Sequence, residues 1–159
     1  MPIKSVCKTN VVTVDRGTTL LNVSNVMQKN HVGSVVVVEG LNGKKIPSGI
    51  ITDRDIALAL GSSPRPQDLR VENIMQSLPI TIKVTEGIYE TIVKMRESGV
   101  KRLPVINEDG TLCGIVCADD LLGLMSEEIN NLAKINETQM NKEKGIRLPS
   151  GKDEPLLTI

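Results

Sequence analysis

Gly49-Ile50-Ile51-Thr52-Asp53-Arg54-Asp55 returns 65 residues later as Gly114-Ile115-Val116-Cys117-Ala118-Asp119-Asp120, and this recurrence decides how the chain is read. Working outward, His31 to Val38 aligns with Gly99 to Ile106 at a shift of 68. The same shift pairs Val11-Val12-Thr13-Val14 with Pro79-Ile80-Thr81-Ile82, Met27 with Met95, and Ile3-Lys4-Ser5-Val6-Cys7 with Val71-Glu72-Asn73-Ile74-Met75. The chain is a duplication, and its first copy carries the longer hairpin.

Each copy reads as strand, helix, two strands and a second helix. Leu20, Val23 and Met27 recur at helical spacing, as do Ile88, Ile92 and Met95, with Thr18 and Thr85 the expected caps. Asn42-Gly43 and Asp109-Gly110 mark hairpins joining Ser34–Glu39 to Lys45–Thr52 and Arg102–Asn107 to Leu112–Cys117. Second helices then start near Thr52 and Cys117. Three strands and two helices cannot cover both faces of their own sheet, so the halves must pack together. The fold class is α/β, more closely α+β, with two β-α-β-β-α repeats. Residues 1–62 form the first domain, 63–70 a breaker-rich linker, 71–126 the second domain, and 127–159 a C-terminal helix extension and tail. The helix is expected to stop at Gly145, and Arg147 to Ile159 reads as a mobile tail or docking peptide.

Composition narrows the function. Among 159 residues the charges cancel, 19 basic against 19 acidic, where a nucleic-acid binder would show a basic excess. The single aromatic, Tyr89, provides no base-stacking platform, so a planar ligand would lie between aliphatic side chains. No apolar run reaches the roughly 18 residues that cross a bilayer, and Met1-Pro2-Ile3-Lys4 leads into no signal-peptide core, so a cytoplasmic location is expected. Cys7, Cys113, Cys117 and His31 show no metal spacing, and no metal or cofactor is expected. Asp53, Asp55, Asp119 and Asp120 lack the nucleophile, base or Gly-rich phosphate loop that catalysis would need.

From Ile3 to about Met125 the repeat, the order of elements and the Gly-Ile-Ile-Thr-Asp-Arg-Asp-Ile turn together resemble paired cystathionine-β-synthase-type (CBS) domains, the Bateman module. The resemblance implies copies packed with pseudo-twofold symmetry and two clefts that take AMP, ADP, ATP or related adenosyl ligands. It places the ribose on Gly49, Thr52 and Asp55, and the phosphate on Lys101 and Arg102 of the other copy. The chemistry agrees: a carboxylate accepts from both ribose hydroxyls, and a lysine beside an arginine fork suits phosphate oxygens. Thr52-x-x-Asp55 equally fits a helix cap with an acidic first turn. Pro79, Ile80, Leu103 and Pro104 are candidate walls for the base.

The second cleft would combine Cys117 and Asp120 with His31, Val32, Gly33 and Ser34, exchanging a hydroxyl for a thiol and losing both cations; it is expected to be empty or weak. The implied function is a regulatory module that senses an adenine nucleotide and relays occupancy to a protein partner. A dimerisation or interaction scaffold without ligand is the alternative. Modules of this kind associate into flat dimers, so a homodimer is expected.

Overall fold

The computed structural model describes residues 1–77 and 79–146. It divides into two units, Met1–Leu121 and Leu122–Ile159; the tail expected from Arg147 onward lies outside the described residues. Among the described residues no helix is long and apolar enough to cross a membrane.

In the first unit, β1 (Thr13–Asp15) leads to α1 (Leu20–Asn30) and then to the hairpin β2 (Ser34–Leu41) and β3 (Lys44–Thr52), followed by α2 (Asp53–Ser62). The second copy repeats this order as β5 (Ile82–Lys83), α4 (Ile88–Ser98), β6 (Arg102–Ile106) and β7 (Leu112–Cys117), and α5 (Ala118–Ile146) begins where α2 did. In each copy the first strand runs parallel to the second and the second antiparallel to the third. Asn42 and Gly43, at φ 52° and 75°, make the tight turn the sequence calls for, and Gly110 takes φ 82° in the shorter hairpin.

Both copies start the helix one or two residues later than expected. Thr19, not Thr18, caps α1 by accepting the Asn22 N–H, and Gly87, not Thr85, precedes α4. Thr18 is held in a turn by its N–H bond to the Asp15 carbonyl, and the Thr85 hydroxyl donates to Glu108. The α4 stripe is also corrected. Ile88, Thr91 and Met95 are buried whereas Ile92 is exposed, because Thr91 turns inward and satisfies its hydroxyl on the Gly87 carbonyl at 2.7 Å.

Each copy is completed by the other copy's leading segment. The turn Ile3–Ser5 donates from the Ile3 N–H to the Glu86 carbonyl, and Lys8 bridges to Ile115 of β7. Reciprocally α3 (Val71–Ile74) donates from Val71 to the Thr18 carbonyl, and β4 (Gln76–Ser77) pairs with Gly49 and Ile50 of β3. These bonds repeat at the shift of 68: Leu20 N–H to Leu69 in one half, Ile88 N–H to Met1 in the other. Val71 and Met75 belong to the core of the first half, with Val23, Val35, Val37 and Ile51. Val36 and Val38, on the opposite face of β2, are buried too, so the run Val35–Val38 is covered on both sides, as a central strand between two layers should be. The halves touch through β3 and β7, and Lys44 meets Asp109 at 2.7 Å between the two hairpin tips.

The exchange requires close approach. A Cβ on Gly49 would lie 2.7 Å from the Met75 Sδ and 3.0 Å from the Gln76 carbonyl; one on Gly114 would lie 2.9 Å from the Cys7 Sγ and 3.1 Å from the Lys8 carbonyl. Gly40, also in a strand, has nothing within 4 Å of that position. Gly49→Ala and Gly114→Ala should each destabilise the protein by about 1–3 kcal/mol, the cost of forcing an extra methyl into a packed site. Gly40→Ala should stay within about 0.5 kcal/mol of the parent. Urea denaturation of the three variants checks this, and equal midpoints would show that the leading segments do not press on these glycines.

Candidate functional site: the cleft between the copies

Along β3 the side chains alternate, so Ile50 and Thr52 share a face, and Gln76 stands opposite Ile50 on β4. That face opens into a cavity of about 170 Å³ whose wall is completed by Pro79 and Ile80 and, from the turn into β6, by Val100, Lys101 and Arg102. Thr52, Ile80, Lys101 and Arg102, expected from opposite ends of the sequence, therefore line one cavity. Ile50, Gln76 and Val100 complete it and were not anticipated. The period of two back from Thr52 would have found Ile50, but Gln76 becomes visible only once the exchanged segment is known. Pro104 and Leu103 are buried within β6 and stand off the wall.

The basic pair is available. Neither Lys101 nor Arg102 forms an ion pair among the described residues; Lys101 is exposed and Arg102 half-buried. Asp55 is also half-buried, and it does not line the cavity. It closes a capping box on α2: its Oδ2 accepts from the Thr52 N–H and hydroxyl, both at 2.8 Å, and its own N–H donates to the Thr52 Oγ at 3.2 Å. The capping reading of Thr52-x-x-Asp55 is thus realised, and Asp55 Oδ1 makes no hydrogen bond within the described residues.

The model of the CBS domain family matches residues 3–62 and 71–127, most of the chain and both copies of the repeat. The chain belongs to the CBS domain family. Its CBS pair is 31% identical over 121 residues to an uncharacterized protein of Methanopyrus kandleri, covering 76% of this chain and 60% of that one. The CBS domain-containing protein YhcV of Bacillus subtilis is 28% identical over 140 residues, 87% of this chain and 96% of the relative. Among solved structures, a CBS domain protein of Pyrobaculum aerophilum complexed with AMP superposes with a TM-score of 0.67 at 26% identity, over 76% of this chain and 89% of that one.

In the second CBS domain the same positions hold different chemistry. Cys117 stands where Thr52 stands, and among the described residues no hydrogen bond joins its thiol to Asp120. Asp120, in the place of Asp55, gives its Oδ1 to the Lys8 ammonium at 2.8 Å and leaves its Oδ2 buried without a hydrogen-bond partner. Lys8 is the counterpart of Gln76 at the shift of 68, so in this half a cation sits on the carboxylate that answers to Asp55. Burial pushes the Cys117 thiol up, and the Asp120 carboxylate adds to this against the opposing charges of Arg102 and Lys8. His31 is not brought to this site. It ends α1 in a left-handed conformation, φ 53°, is exposed, and lines a separate depression of about 510 Å³ with Ser24, Gly33 and Asp53.

The unpartnered Oδ2 has a remedy in the geometry that Thr52 and Asp55 show. Cys117→Thr restores a hydroxyl able to accept the Asp120 N–H and donate to its carboxylate, and should stabilise the protein by about 0.5–2 kcal/mol, the usual range for a helix N-cap. Chemical denaturation of the variant beside the parent measures this; a lower midpoint would show that the thiol is required by its packing.

Proposed function

We propose that the cleft lined by Thr52, Ile80, Lys101 and Arg102 binds an adenine nucleotide, with AMP the simplest member, and that the chain relays occupancy to a protein it regulates. The observation that carries this reading is the basic pair Lys101 and Arg102, in no ion pair among the described residues, on a cavity whose remaining walls are Ile50, Thr52, Gln76, Pro79, Ile80 and Val100. Ile50, Ile80, Val100 and Pro79 suit the two faces of a base, which is the only packing open to a chain whose one aromatic, Tyr89, is 75% exposed on α4. The cavity, at about 170 Å³, is smaller than the roughly 300–1,000 Å³ that engulfs a drug-sized ligand. The base and part of the sugar fill it, and the phosphate lies at the exposed mouth, where the cations stand. Asp55 Oδ1 is free to accept from a ribose hydroxyl while Oδ2 keeps the cap. The AMP complex of the Pyrobaculum aerophilum protein supports the choice of ligand class.

Equilibrium titration with adenosine and AMP tests the proposal. AMP should bind more tightly than adenosine, and its advantage should shrink with added salt, because partly exposed charges are screened over about 8–10 Å at 0.1–0.15 M ionic strength. Arg102→Gln keeps length and some hydrogen bonding but loses the charge and the fork, so most of the AMP preference should disappear while adenosine affinity is retained. Asp55→Ala should weaken both ligands by roughly ten- to a hundredfold and also lower stability by about 1 kcal/mol through the lost cap. An AMP preference unchanged in Arg102→Gln would remove the phosphate from this pair.

A further inference from the structure

From Leu122 onward α5 forms a unit of its own, and every side chain described from Ser126 to Gly145 is exposed. With its side chains uncovered this stretch lacks the packing that stabilises most helices in proteins, and Gly123, Asn130, Asn131, Asn136 and Thr138 are weak helix formers. What the segment does carry is a stripe. Leu122, Met125, Ile129 and Leu132 alternate at spacings of three and four; Leu122 and Ile129 are each 67% exposed and Leu132 64%. This is the seam of a two-stranded coil, with Leu122 and Ile129 at the first seam position of successive heptads and Met125 and Leu132 at the second.

Three details fit that frame and select the occupant. Asn136 falls at the first seam position of the next heptad, where one buried asparagine pairs with its own copy and fixes both a parallel register and the two-stranded state. Ile135, 58% exposed, and Met140, 53% exposed, stand off the seam, one on each flank and five residues apart. In a parallel pair of identical helices that spacing sets Ile135 of one chain against Met140 of the other, twice by symmetry. From Glu127 on, the outer positions Glu127, Asn130, Asn131, Lys134, Glu137, Thr138 and Asn141 are all polar; before them Leu124, half-buried, is the one apolar outer residue of this stretch. A helix of unrelated sequence would need the same two off-seam apolar residues and the same seam asparagine, whereas a second copy of this chain supplies them without further assumption.

We propose that residues 122–140 form one strand of a parallel, in-register two-stranded coiled coil with a second copy of this chain, a contact independent of the nucleotide cleft. Gln139 and Glu143 at the following seam positions end it.

The test uses the full chain. By sedimentation equilibrium the parent should be a dimer, and Ile129→Asp with Leu132→Asp should weaken the dimer by roughly a hundredfold or more, since each chain would bring two carboxylates to the dry seam. AMP titration and urea denaturation of that variant show whether the first unit remains folded. Orientation is read separately: N136C should crosslink rapidly to itself on mild oxidation, whereas N131C, on the outer face, and the parent with its three native cysteines should not. A monomeric parent, an aspartate variant that remains fully dimeric, or an N136C chain that crosslinks no faster than N131C would each overturn the proposal.

Discussion

Two strand glycines, Gly49 and Gly114, let the backbone of one copy's leading segment lie directly against the other copy's sheet, and the rest of the first unit depends on that approach. Without it β4 could not pair with β3, and Lys8 could not bridge to Ile115. The apolar residues the segments bring, Ile3 in one direction and Val71 with Met75 in the other, are buried only through this exchange. Neither half is then a self-sufficient domain. The arrangement also makes the cleft, since one wall is the exchanged segment itself, through Gln76, and the other is the turn into β6 with its basic pair.

Backbone symmetry is close, since hydrogen bonds recur in register at the shift of 68, but the side chains break it. At one end Thr52 and Asp55 bond each other, Gln76 is neutral, and Lys101 and Arg102 line the cavity in no ion pair among the described residues. The other end has a thiol in place of the hydroxyl, an ammonium in place of the amide, and a buried carboxylate oxygen left without a partner. The Lys8–Asp120 pair is largely exposed on the lysine side and contributes little to stability, yet it occupies the carboxylate that answers to Asp55. A single fold thus carries one furnished cleft and one that answers itself internally.

Much of this was legible in the sequence. The duplication and both hairpins follow from repeat and turn, because turn chemistry and strand alternation are local. The meeting of Thr52 with Lys101 and Arg102, residues of opposite halves, is implied only by the resemblance to paired CBS domains. The exchange of leading segments was not legible, since a short turn such as Ile3–Ser5 packs equally well in principle on either half and only tertiary fit chooses. The caps shift for a related reason: Thr85 has the right chemistry but its hydroxyl is given to Glu108, and Thr18, whose N–H closes a turn on the Asp15 carbonyl, comes one residue before Thr19, which caps α1. Thr91 displaced Ile92 from the core because a threonine that bonds its hydroxyl back to the Gly87 carbonyl can be buried without loss. His31 was paired with Cys117 and Asp120 on motif symmetry, yet it is the residue that terminates α1, and that role leaves it on a different surface.

The two ends of the pair, alike in backbone, differ in side-chain chemistry, and on the function proposed above only the end at Thr52 takes a nucleotide. Calorimetric titration of the full chain with AMP measures this directly through stoichiometry. The account predicts a single class of site at one AMP per chain, unchanged in Asp120→Ala. Two equivalent sites per chain, or a stoichiometry that falls when Asp120 is removed, would contradict it.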